Sequence, residues 1–169
     1  MAAAYWASEF SLIRVLESEE WSGGEAAEGV DRPLDIIVLH TSDSSTRRAL
    51  KTASTLAAEL SARVHLVAPR VVPYPLDLHT PQVPVSFTAH QLRELAADAR
   101  VDAAIDVILC RDLMSTLSQV LTPKSLIVLD ESHSPWWGFG LMEGWLGRQN
   151  RLARRLRALG HQVVAADLF

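Results

Sequence analysis

Cysteine is almost missing from this chain: Cys110 is the single thiol among 169 residues. That excludes an internal disulfide and a cysteine-based zinc finger, and it fits a reducing compartment. Long apolar runs are missing too, because none approaches the roughly 18 residues that a membrane span needs. No membrane span is therefore expected. The N-terminus has neither the basic stretch nor the clean apolar stretch of a secretory leader, so the expected location is the cytoplasm. An excess of basic charge is also absent. A formal charge of −4 gives no general reason to expect nucleic acid or an anionic membrane as partner. There is no internal repeat and no low-complexity run. What remains, 49% apolar and 21% charged residues in a length that suits one domain, is the composition of an ordinary globular protein.

The most informative stretch is 34–46, LDIIVLHTSDSST. Residues 34–39 are apolar without alternation, which predicts a strand buried on both faces of a parallel sheet. Ser42, Asp43 and Ser44 then stand as helix N-caps before Ala49, Leu50, Ala53, Leu56, Ala57 and Leu60, which recur at helical spacing. A strand, a polar turn and a helix open a βαβ unit, and the helix N-terminus there can cap itself or receive an anion.

Further along, 63–72 predicts a second strand, ended by Pro73 and Pro75. The proline-rich stretch 73–84 predicts an irregular loop over one edge of the site. Ser86 or Thr88 can cap a helix reaching Ala99, and 103–110 is a third strand. A short helix over 112–121 and a fourth strand over 125–129 follow. From Trp145 a helix carries Leu152, Leu156 and Leu159 on one face and Arg148, Arg151, Arg154, Arg155 and Arg157 on the rest; that basic face is either simply solvated or a site for an anionic partner. Gly160 stops it, and 162–168 is a fifth strand. This alternation predicts an open α/β fold, a five-stranded parallel sheet with helices on both faces.

Residues 1–33 stand outside that pattern. Trp6, Phe10, Ile13 and Leu16 fit one helical stripe, whereas a strand would place Arg14 among Phe10, Leu12 and Leu16, so an amphipathic helix is the favoured reading. The acidic, glycine-bearing 17–33 reads as a linker. The predicted organisation is thus an N-terminal arm and linker over 1–33 and an α/β domain over 34–169.

The segments IIVLHTSDSSTRRALKTASTLAAELSARVHLVAPRVVP and AAIDVILCRDLMSTLSQVLTPKSLIVLD resemble the universal stress protein family, in order from about residue 34 to 130. The resemblance implies a Rossmann-like sheet whose first and fourth strands are adjacent, with a ligand crevice at their C-terminal ends. Some members bind ATP there. Their strand-one aspartate corresponds to Thr41 here, and two glycines after strand four correspond to Asp130 and His133, which disfavours ATP. The resemblance also implies a homodimer paired through the last strand, around Val163 and Val164.

Crevice candidates are therefore Thr41, Ser42, Ser44, Ala68, Cys110, Asp130 and His133, with His40, Asp130 and His133 as candidates for a metal or an acid/base pair. A plain hydrated rim made of the same side chains is the simpler reading. Cys110, without an assigned base, reads as a small buried hydrophobe. Trp136, Trp137, Phe139 and Trp145 sit in a glycine-rich passage and form either a lid on the crevice or a patch for a partner. The favoured function is a non-catalytic stress-response or regulatory role with an unidentified protein partner. An adenine-nucleotide-binding protein and an enzyme built on His40, Asp130 and His133 are the rivals.

Overall fold

A computed structural model describes the backbone of residues 4–5, 12–16, 34–130 and 143–166, and the side chains of 34–130 and 151–166. The elements run β1 (Ala4–Tyr5), β2 (Leu12–Leu16), β3 (Asp35–Leu39), α1 (Asp43–Leu60), β4 (Arg63–Val71), α2 (Val85–Asp98), β5 (Ala103–Cys110), α3 (Leu113–Val120), β6 (Leu126–Leu129), α4 (Glu143–Ala158) and β7 (Gln162–Ala165). Their order across one sheet is β1-β2-β5-β4-β3-β6-β7. The five strands β3 to β7 are mutually parallel, and β3 lies between β4 and β6. First and fourth strands of the α/β pattern are thus adjacent, as the family resemblance implies.

Apolar residues on both sides of each central strand explain the two-layer cover. Ile36 and Val38 of β3 pack with Ala49, Leu50 and Ala53 of α1 and with Leu92 and Ala96 of α2. Ile37 and Leu39, pointing the other way, pack with Leu117 of α3 and Ala153 and Leu156 of α4. Full burial of such an aliphatic side chain contributes about 1.5–3 kcal/mol, so both layers are needed to hold the sheet.

Three expectations change. The helical reading of the arm fails over Leu12–Leu16, which is a strand antiparallel to β5, with Arg14 opposite Ile108. The open edge of β5 offers a row of backbone donors and acceptors, and pairing them outweighs the helical spacing of side chains. Second, α2 is capped by neither Ser86 nor Thr88: it begins at Val85, with Pro84 at the N-cap and no side-chain cap bond. Thr88 instead accepts from Arg70 Nη1 at 2.8 Å. Third, α4 starts at Glu143, ahead of Trp145. It ends as expected at Gly160, whose φ of +88° is the left-handed cap conformation, with the His161 amide bonded back to the Leu156 carbonyl at 3.1 Å.

The proline-rich loop 73–84 is fixed by Arg111, the residue after β5. Arg111 donates Nη1 to the carbonyls of Val72 at 2.9 Å and Pro73 at 3.1 Å, and Nη2 to Leu76 at 2.7 Å. Its guanidinium lies 4.2 Å from the centroid of the Tyr74 ring. Leu78 folds beneath, onto Val72 and Leu109.

Candidate functional site

The chain leaves β3 and β6 side by side, and in an open α/β sheet a ligand enters the crevice at such a point. On the β3 side, the His40 amide extends the ladder by donating to the Val67 carbonyl at 2.8 Å. Its Nδ1 lies 3.0 Å from the hydroxyl of Thr46, a fully buried residue on the first turn of α1. Burial pushes the imidazole below its ordinary pKa, with the Asp43 carboxylate pulling the other way. His40 is neutral at neutral pH and already engaged.

Thr41 is half-buried at the bend, and Ser42 is the N-cap of α1, accepting from the Ser45 amide at 3.3 Å. The Ser42 and Ser44 hydroxyls are 3.4 Å apart. Asp43 adds a carboxylate to the first turn. Cap and carboxylate together answer the unpaired amides and the positive end of the helix dipole, which lowers the demand of this terminus for an external anion.

Asp130, the first residue after β6, turns its carboxylate toward α1, where it is closed off from solvent. Arg48, on the second turn of α1, donates Nε to Asp130 Oδ2 at 2.9 Å and Nη2 to the same oxygen. The guanidinium itself is about half exposed, 48% for the side chain. This pair spans the crevice wall from β6 to α1. Arg48 is the site residue missing from the sequence-level candidates. A carboxylate placed directly after a buried apolar strand requires a cation, and the helix after the adjacent strand was the place to look for one.

Ala68 on β4 and Cys110 on β5 are both buried. Ala68 is packed into the core under α1 and α2. Cys110 is fully buried at the end of β5, its Sγ–H donating to the Arg70 carbonyl at 3.6 Å. Burial raises its thiol pKa, Thr116 partly offsetting this by hydrogen bonding. It is the inert thiol expected of a small hydrophobe. His133, Trp136, Trp137 and Phe139 lie outside the described residues, as does the side chain of Trp145. Among the described residues no three His, Cys, Asp or Glu side chains gather as a metal set. Val163 and Val164 of the edge strand β7 are half-buried, packing into the two core layers on opposite faces.

No family model and no curated protein matches the chain. Among solved structures it is similar to a universal stress protein in complex with cAMP, at 19% identity and a TM-score of 0.47 over 80% of this chain and 98% of that one. It is also similar to a universal stress protein from Archaeoglobus fulgidus, at 13% identity and a TM-score of 0.48 over 79% and 98% of the two chains. The fold of this chain is the open α/β sheet described above, five parallel strands with helices on both faces. Thr41 and the buried Asp130 thus stand just past the C-terminal ends of the adjacent strands β3 and β6. A second polar pair, Ser125 and His161, shares a buried 2.9 Å hydrogen bond at the start of β6 and β7, the opposite end of the sheet.

Proposed function

We propose that this chain is a universal stress protein-like regulatory protein of the cytoplasm, non-catalytic, homodimeric and without the ATP binding of its nucleotide-dependent relatives. The observation that carries the reading is the Arg48–Asp130 pair. Glycines after the fourth strand let a backbone approach phosphates; Asp130 puts a carboxylate there instead, and its partner Arg48 is held by it. A phosphate entering beside Asp130 meets like charge and must compete for the guanidinium. The self-capped N-terminus of α1 and the engaged, neutral His40 point the same way. For the dimer, β7 ends the sheet among the described residues, and pairing two such strands removes an exposed edge.

The test is a thermal shift of the purified chain with Mg-ATP and with cAMP, beside the nucleotide content as isolated and the molecular mass by light scattering. The expected result is a dimer with no bound nucleotide and no ligand-dependent rise in melting temperature. A saturable rise supports the second reading, an adenine-nucleotide-binding protein. That reading is favoured by one feature, the half-exposed guanidinium of Arg48 beside the start of α1, which can turn from Asp130 to a phosphate.

A further inference from the structure

α4 presents its basic residues to solvent. Arg151, Arg154 and Arg155 are exposed, while Leu152, Ala153 and Leu156 face the sheet. Arg151 lies three and four residues from Arg154 and Arg155, a spacing at which like charges on a helix repel. From 144 to 166 the sequence holds no carboxylate to offset them. The helix dipole accounts for Arg155 and Arg157 in the last turn, since cations are favourable there, but not for Arg151. Arg157 has its own task, donating Nη2 to the Val163 carbonyl at 3.3 Å.

The complement lies in the same chain. Residues 17–31 hold six carboxylates, Glu17, Glu19, Glu20, Glu25, Glu28 and Asp31, and no cation. This segment joins β2 to β3, which are separated in the sheet by β5 and β4. Three strand spacings across, with the four residues by which the level of Leu16 stands above Asp35, make about 20 Å, whereas 15 extended residues reach about 50 Å. The connection has more than twice the chain it needs. We infer that the acidic segment 17–31 docks on the arginine face of α4 in the same molecule, so that an acidic peptide stretch is the ligand chemistry this surface takes. The contact is electrostatic, with few apolar anchors, and is therefore weakened by salt. It is independent of what the crevice binds.

The experiment uses the isotope-labelled full chain with a spin label on Ser22→Cys, and a mock-labelled wild-type chain to report any reaction at Cys110. Amide signals of 151–158 are expected to lose intensity severalfold while the label is oxidised. They are expected to recover in about 0.5 M sodium chloride, where the Debye length falls to about 4 Å. They should also recover in the variant R151E/R154E/R155E, whose exposed positions leave the core intact. Unchanged intensities, or broadening that survives both salt and charge reversal, overturn the proposal. So does broadening seen only when labelled chains are mixed with unlabelled ones, because the occupant is then a second copy.

Discussion

Arg48 and Asp130 are 82 residues apart in sequence, yet the guanidinium of one closes over the buried carboxylate of the other. Because the carboxylate is fully desolvated and the guanidinium only half so, the two halves of the pair are not equivalent. Arg48→Ala leaves a buried charge behind; Asp130→Asn removes it. The expected losses are about 2 kcal/mol for Arg48→Ala, moderated by the exposure of Arg48, and less for Asp130→Asn. Urea unfolding of both single variants and the double variant measures this, and equal losses would show that the carboxylate is better solvated than described.

Acid sensitivity follows from two histidines. Burial lowers the pKa of His40, against the pull of Asp43, and burial lowers that of His161. Folded values below the unfolded one mean that the unfolded chain binds more protons, so their contribution to stability is complete above the ordinary imidazole value of 6.5. It is lost as pH falls from there through the folded values. The urea midpoint should drop between pH 7.5 and 5, and His161→Gln, which keeps a hydrogen-bonding group beside Ser125, should flatten the drop. A midpoint that rises on acidification would contradict this sign.

Cys110 is buried and its thiol is shifted upward, both of which suppress the thiolate. Native protein should react with a disulfide exchange reagent far more slowly than urea-unfolded protein, by several orders of magnitude if labelling requires global opening. Rapid stoichiometric labelling of the native chain would mean that β5 opens locally at its end.

Arg111 holds the loop 73–84 through three carbonyls and the ring of Tyr74, a residue 77% exposed. Truncation in Arg111→Ala should release that loop while leaving the sheet folded. Losing about 1.4 kcal/mol of local stability raises the open population about tenfold, so chymotryptic cleavage near Tyr74 and Leu76 should accelerate by that order. Unchanged cleavage would assign the loop's order to Leu78 on Val72 and Leu109 instead.

The α/β frame was legible because each of its elements carries a local signal. Ile36 to Leu39 show unbroken apolarity, α1 shows helical spacing behind a capping serine, and Gly160 supplies the left-handed stop. Elements without such a signal were read less well. Leu12–Leu16 has the side-chain spacing of a helix and becomes a strand through its neighbour β5. In the candidate site, the bend from His40 to Ser44 was found from its residue types, but the engagement of His40 by Thr46 was not. Ala68 and Cys110, named as crevice candidates, are both buried, one in the core beneath α1 and α2 and the other at the end of β5.

Within 34–130 and 143–166 the sequence by itself determined which segments are strand and helix and that both faces of the sheet are covered, because burial period and capping are properties of neighbouring residues. Tertiary structure alone decided that Asp130 meets Arg48, that Arg111 fastens a loop from another strand, and that β2 adds to the edge of β5. Each of those contacts joins residues distant in the chain, and its free energy depends on a desolvated partner or an open sheet edge that exists only once the fold has formed.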